Sequence, residues 1–182
     1  FYYIMKYNKI HRYFFETLRC SPILFDFIFL TLYSITNNQE YLKLFLIKYL
    51  LVPINHFIKE LCRCIFRKFG NYKNNGYYLP ILGRGDRPNG AKNCGLFNEC
   101  SNKLSKSHGF PSGHAQSAAN IFILMSLIIK NENHQLIVFI YTLLISAARI
   151  YEKCHTIQQV IFGYLIGIYM TKYLLKIMNV KI

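Results

Sequence analysis

Five apolar stretches set apart by polar, mostly basic gaps constrain this chain more than any other feature: 22–37, 41–58, 114–129, 135–150 and 157–175. Runs of this length read as helices, and five of them need either a large buried core or a bilayer to hide in. The 182 residues are 53% hydrophobic yet carry a formal net charge of +14. A nucleic-acid binder would display such charge on solvated elements. Here most Lys and Arg residues lie between the apolar runs, as they do in the loops of membrane proteins. The expectation is an all-α, polytopic membrane helical bundle of about five or six helices forming one domain, 1–182. Membrane lipids are its surroundings, and nucleic acid is not expected as a partner.

Residues 1–21 mix Lys6, Lys9, Arg12 and Arg19 with aromatics, which suggests an interfacial amphipathic segment. No secretory signal peptide is expected, because the first apolar run lacks a small-residue cleavage site. The first two runs carry Asp26, Lys43, Lys48 and Pro53. Polar groups within such helices usually face the bundle interior, so an internal polar site is expected. Residues 59–110 shift to a basic, Gly/Asn/Lys-rich composition with turn signals at Asn75-Gly76 and Asn89-Gly90. A loop that long is expected to be functional, and residues 111–175 then form a helical core. The short hinge at 130–133 makes the helices on either side antiparallel neighbours. The 59–110 loop and the 149–156 connector therefore meet at one membrane face.

Six cysteines are present. A zinc set of Cys62, Cys64, Cys94 and Cys100 has the wrong spacings, and no metal is expected. Cys62, Cys64 and Cys154 read as small apolar fillers. A Cys94–Cys100 disulfide requires a loop in an oxidising compartment.

Three clusters stand at the shared face. In Gly109-Phe110-Pro111-Ser112-Gly113-His114, the proline and serine start and cap a helix whose free N–H groups suit an anion. Gly113 permits close approach of an oxyanion, and His114 is placed as a proton donor. In Ala148-Arg149-x5-His155, Arg149 offers a fork of donors to phosphate. Gln159 lies one turn past His155, so its side chain can hold one imidazole nitrogen and leave the other free to attack. The remaining cluster is Gly83-Arg84-Gly85-Asp86-Arg87-Pro88.

Together, Arg87-Pro88, Pro111-Ser112-Gly113-His114 and Arg149-x5-His155 resemble the three signature motifs of the type 2 phosphatidic acid phosphatase superfamily. The resemblance covers about 84–163. It implies a phosphohistidine mechanism without metal or other cofactor, acting on a lipid phosphate or diphosphate. His155 would be the nucleophile and His114 the acid. Arg87, Arg149, Ser112 and the Gly113 N–H would hold the phosphoryl oxygens.

The chain departs from that pattern in three places. The Lys expected seven residues before Arg87 is Pro80; Lys59 and Arg84 are the two candidates to replace it. Ala148 stands where Ser is usual. Gln159 stands where Asp is usual, four residues past the nucleophile. Arg149-Ile150-Tyr151 and His155-Thr156-x2-Gln159-Val160 are similar to the dolichyl diphosphatase branch, which also has Gln there. That likeness implies a polyprenyl diphosphate substrate and an endoplasmic reticulum or related internal membrane. A broad phosphatidate phosphatase, or a catalytically weakened protein retaining the fold, are the alternatives. The excess of basic residues on the site face points it to the cytoplasm, whereas the dolichyl resemblance implies the lumen.

Overall fold

The computed structural model describes residues 2–92, 94–95, 105 and 108–181, with side chains from residue 13 onward. Five helices make the body: α1 (Tyr2–Thr36), α2 (Gln39–Phe69), α3 (Gly113–Ile128), α4 (Glu132–Tyr151) and α5 (Ile157–Ile177). Asn37, at a φ of 53°, ends α1, and the Asn38 side chain caps α2 by accepting from Glu40 N–H. Asn131 and Thr156 cap α4 and α5 in the same way.

This bundle exposes large apolar side chains and buries polar ones within an apolar core. Phe27, Val52, Ile137, Leu165 and Tyr169 are exposed, while Asn120, Thr142 and Thr171 are completely buried. Residues Tyr13–Thr36 of α1, with α2, α4 and α5, are each long and apolar enough to cross a membrane. The shorter α3 lies at the centre and packs against all four. Its tightest neighbour is α5, because Gly163 and Gly167 face it. A side chain at either glycine would strike the backbone oxygens of Ser112 or Gln116. This is the all-helical membrane bundle the apolar runs predict.

Two boundaries differ from expectation. No break separates residues 2–21 from the first apolar run: the chain continues through Pro22 as one helix, with Leu18, Arg19 and Ser21 already buried. The side chains of Lys6, Lys9 and Arg12 lie outside the described residues. The polar loop also begins later than position 59. Residues 59–69 hold good helix formers and neither Gly nor Pro, so α2 runs on to Phe69 and stops at Gly70. Lys59 is thus an interior residue of α2.

After Gly70 the chain forms a small antiparallel sheet, β1 (Asn71–Lys73), β2 (Gly76–Leu79) and β3 (Gly83–Arg84), in the order β1-β2-β3. Asn74 and Asn75 both adopt positive φ between β1 and β2, the two-residue turn that matches strand twist. This sheet is an addition to the expected helices, and it sits over the face where α2 ends and α3 and α5 begin.

The cysteines pair differently from expectation. Cys94 is bonded to Cys154, with Cα atoms 5.5 Å apart. Cys154 is therefore no filler, and Cys94 is not free for Cys100, which lies outside the described residues, or for a zinc set. The 60-residue separation hid the pair, since folding alone brings the loop onto the α4–α5 turn. Cys62 and Cys64 are free; Cys64 is exposed on α2, so filler does not describe it either.

Candidate active site

His155 occupies the turn between α4 and α5. The N–H groups of Cys154 and His155 both donate to the Arg149 carbonyl, which closes the turn. One helical turn onward, Gln159 completes a capping box with Thr156. Its Nε2 donates to the carbonyls of Arg84 and Asp86, each at 2.8 Å. Those two bonds orient the amide, so the oxygen faces the imidazole at 3.0 Å from Nδ1 and also accepts from Thr156 N–H. An amide oxygen only accepts, so His155 carries its proton on Nδ1 and its lone pair on Nε2. Arg87 Nη1 caps that lone pair at 3.2 Å and donates to the Cys154 carbonyl at 3.1 Å.

Burial, reinforced by the positive charges of Arg87, Lys59 and Arg149, holds the His155 pKa well below its usual 6.5. Its imidazole is therefore neutral at physiological pH. Burial and the nearby Arg149 also lower the Arg87 pKa to about 10, which leaves the guanidinium charged.

The start of α3 meets His155 from the other side. Ser112 N–H donates to the Gln159 carbonyl at 3.0 Å, while its hydroxyl oxygen caps Ala115 N–H at 3.4 Å. The carbonyl of Gly85 receives both Gly109 and Phe110 N–H groups at 2.9 Å, joining the first motif to the second. Gly113 lies against Asn55 of α2, where any side chain would collide with the Asn55 oxygen. His114 Nε2 has no hydrogen-bond partner among the described residues.

A cavity of about 390 Å³ gathers these groups. Lys59, Arg87, Gly113, His114 and His155 line its upper end, and Asp26 and Lys48 line its deep end. Lys48 bonds Asp26 at 2.5 Å, an ion pair bridging α2 and α1. Lys59 and Lys48 are eleven residues apart on α2, so the cavity follows that helix for about 16 Å.

Four of the residues singled out in the sequence lie elsewhere. Gln159 stands behind His155, and Ser112, fully buried, acts as a cap. Arg149 is fully buried beside the cavity, with Nη1 on Glu152 at 2.5 Å and Nη2 on the Cys94 carbonyl at 3.1 Å. Glu152, three residues on along the same face, and the Cys94 carbonyl thus engage the two terminal nitrogens, while Nε is buried without a hydrogen-bond partner among the described residues. Arg84 does not reach the cavity. Its guanidinium stays in the sheet, bound to Asn89, the Asn75 carbonyl and the Tyr78 hydroxyl. Lys59 does line the cavity, and its ammonium has no hydrogen-bond or ion-pair partner among the described residues.

Asn55, His108, Gln116 and Asn120 are among the cavity residues that escaped the sequence reading. Gln116 and Asn120 did leave a signal, as two amides one turn apart in an otherwise apolar helix. Asn55 and His108 left none, since only the packing of α2 and the loop onto α3 brings them there. The family model described as the PAP2 superfamily matches residues 76–182, more than half of the chain. No curated protein and no solved structure matches.

Proposed function

The chain belongs to the PAP2 superfamily, whose members are phosphatases acting on phosphorylated lipids, and on that premise we propose that it hydrolyses a lipid phosphate through a phosphohistidine on His155. One observation carries this: Gln159 holds His155 in the Nδ1–H tautomer, and Nε2 faces a cavity shared with His114, Lys59 and Arg87. In the first step His155 Nε2 attacks the terminal phosphorus while its bond to the leaving oxygen breaks, the lipid oxygen of a monophosphate or the bridging oxygen of a diphosphate, and His114 gives that oxygen its proton. In the second step water attacks the phosphohistidine, His114 takes the water's proton, and inorganic phosphate leaves with His155 restored. Arg87, Lys59 and the N–H groups at the start of α3 offset charge on the phosphoryl oxygens. Arg149 acts from behind, anchoring the Cys94 loop and adding positive potential. The mechanism uses no metal or cofactor.

The substrate proposed is a polyprenyl diphosphate of the dolichyl type, on the strength of Gln159 and the motif residues around it; a phosphatidate-like monoester is the alternative. The proposed location is the endoplasmic reticulum or a related internal membrane, with the site facing the lumen. The disulfide on the site face supports that orientation, because such bonds persist in oxidising compartments. The deciding measurement is phosphate release from dolichyl diphosphate and from phosphatidate by detergent-solubilised protein. Wild type should turn over the diphosphate faster. His155→Ala should lose about a thousandfold or more, together with any acid-labile phosphoenzyme. Unchanged turnover in that variant would falsify the mechanism.

A further inference from the structure

The amide of Gln116 is fixed in a direction that the mechanism above does not use. It lies in the first turn of α3, two residues past His114, and is 1% exposed. Asn55 Nδ2 donates to its Oε1, which assigns the oxygen to α2 and turns Nε2 the other way. That Nε2 is buried, has no partner among the described residues, and belongs to a residue lining the cavity. Side chains in a helix lean toward its N-terminus, which carries the Gln116 amide back to the level of His114. One turn deeper, Asn120 donates to Thr171 at 3.0 Å and leaves its own oxygen buried without a partner. Unsatisfied amides at membrane depth are costly, and a wall that carries them is suited to a polar ligand group.

Building on the phosphatase reading, we propose that Asn55 and Gln116 form a leaving-group subsite in which Gln116 Nε2 donates to an acceptor oxygen next to the scissile P–O bond. His114 protonates the leaving oxygen, so a donor held beside His114 meets the part of the lipid that departs. A hydrocarbon alone gives Nε2 nothing to bind. Two chemistries supply the acceptor: the second phosphate of a lipid diphosphate, and the ester carbonyl of a diacylglycerol phosphate. Gln116 is then a specificity-determining residue that favours either of these over a prenyl or alkyl monophosphate.

The test uses two substrate pairs that differ only in the acceptor: farnesyl diphosphate with farnesyl monophosphate, and diacylglycerol phosphate with its dialkyl ether analogue. The readout is the ratio of kcat/KM within each pair, which does not depend on the fraction of folded protein. Gln116→Met should lower one ratio about tenfold or more, the loss expected for a hydrogen bond to a charged or strongly polar acceptor. The pair whose ratio falls identifies the acceptor. Asn55→Ala keeps Gln116 but frees its amide to turn, and should lower the same ratio less; it reads the same point if Gln116→Met is too unstable to assay. Unchanged ratios in both pairs overturn the subsite while leaving the phosphatase reading intact. Absence of turnover by wild type on all four lipids would remove that reading and the subsite together.

Discussion

On the α5 side of the cavity, His155, Gln159 and Arg87 are bonded to one another and to the carbonyls of Arg84, Asp86 and Cys154. On the α2–α3 side, Lys59 has no partner, and the buried nitrogens His114 Nε2 and Gln116 Nε2 are likewise unpaired among the described residues. The saturated side holds a nucleophile in one tautomer and one direction, where any movement would lower reactivity. The unsaturated side has donors to spare for what enters. Substitutions on the first side, and of the acid His114, should therefore act mainly through kcat, and those of Lys59 and Gln116 through KM and selectivity.

The sharpest way to break that division is Gln159→Glu. A carboxylate there would meet the carbonyls of Arg84 and Asp86, two acceptors facing an acceptor, in a fully buried position. The expected result is a loss of about a hundredfold in kcat and a lower Tm, the response to a buried carboxylate with one oxygen set against two acceptors. Gln159→Asp should also lose activity, although Asp is usual at this place in the resembled pattern. If either acidic variant equalled or exceeded wild type, the amide would not be oriented by those carbonyls.

Next in size comes Lys59→Met against Arg84→Met. Removing the unpaired ammonium should raise KM for a lipid phosphate by about thirtyfold with a smaller fall in kcat, because a charged donor to the phosphoryl group is lost. Arg84→Met should reduce activity only as far as folded protein is lost, since its donors tie the sheet to Asn89 and Asn75. Equal KM effects in the two variants would return Arg84 to the phosphate site.

These residues also show how far the sequence could be read. Five helices were legible because apolar runs of that length have few other ways to be buried, and His155 with Gln159 was legible because a four-residue spacing sets two side chains on one helix face. The end of α2 was misjudged because basic residues there resemble a loop while still being good helix formers. Lys59 and Arg84 could not be separated, since what distinguishes them is the packing of β3 beneath Tyr78. The engagement of Arg149 was also hidden. Its basic character is evident, but whether Glu152 takes its donors depends on side-chain geometry at the end of α4. The turn glycines and asparagines marked the 71–85 region as irregular without revealing its strands.

A third measurement sharpens the electrostatic part of the comparison. His155 attacks only when neutral, and burial followed by Arg87, Lys59 and Arg149 depresses its pKa. Activity should therefore persist as pH falls through 6.5, and the acid limb of kcat/KM should appear only below that value. Arg87→Gln removes one of the cations that oppose protonation. The limb should then move up by about one pH unit, with kcat reduced as well. A limb that stays in place would show that Arg87 does not act on the imidazole in solution.

The smallest expected effect concerns the disulfide, and it links the two sides. Arg149 donates to the carbonyl of Cys94, and Arg87 donates to the carbonyl of Cys154. The Cys94–Cys154 bond thus sets the separation of the two backbone oxygens on which the site's arginines are anchored. Breaking it removes no donor and no charge, so the chemistry should survive while the arginines lose definition. A Cys94→Ser/Cys154→Ser double variant should show KM raised about threefold to tenfold with kcat nearly retained. Its Tm should fall, as loss of a long loop closure predicts. Dithiothreitol should reproduce the KM change in wild type and have no effect on the double variant. If the reductant altered both proteins alike, its effect would not run through this bond, and the anchoring role of the bond would be wrong.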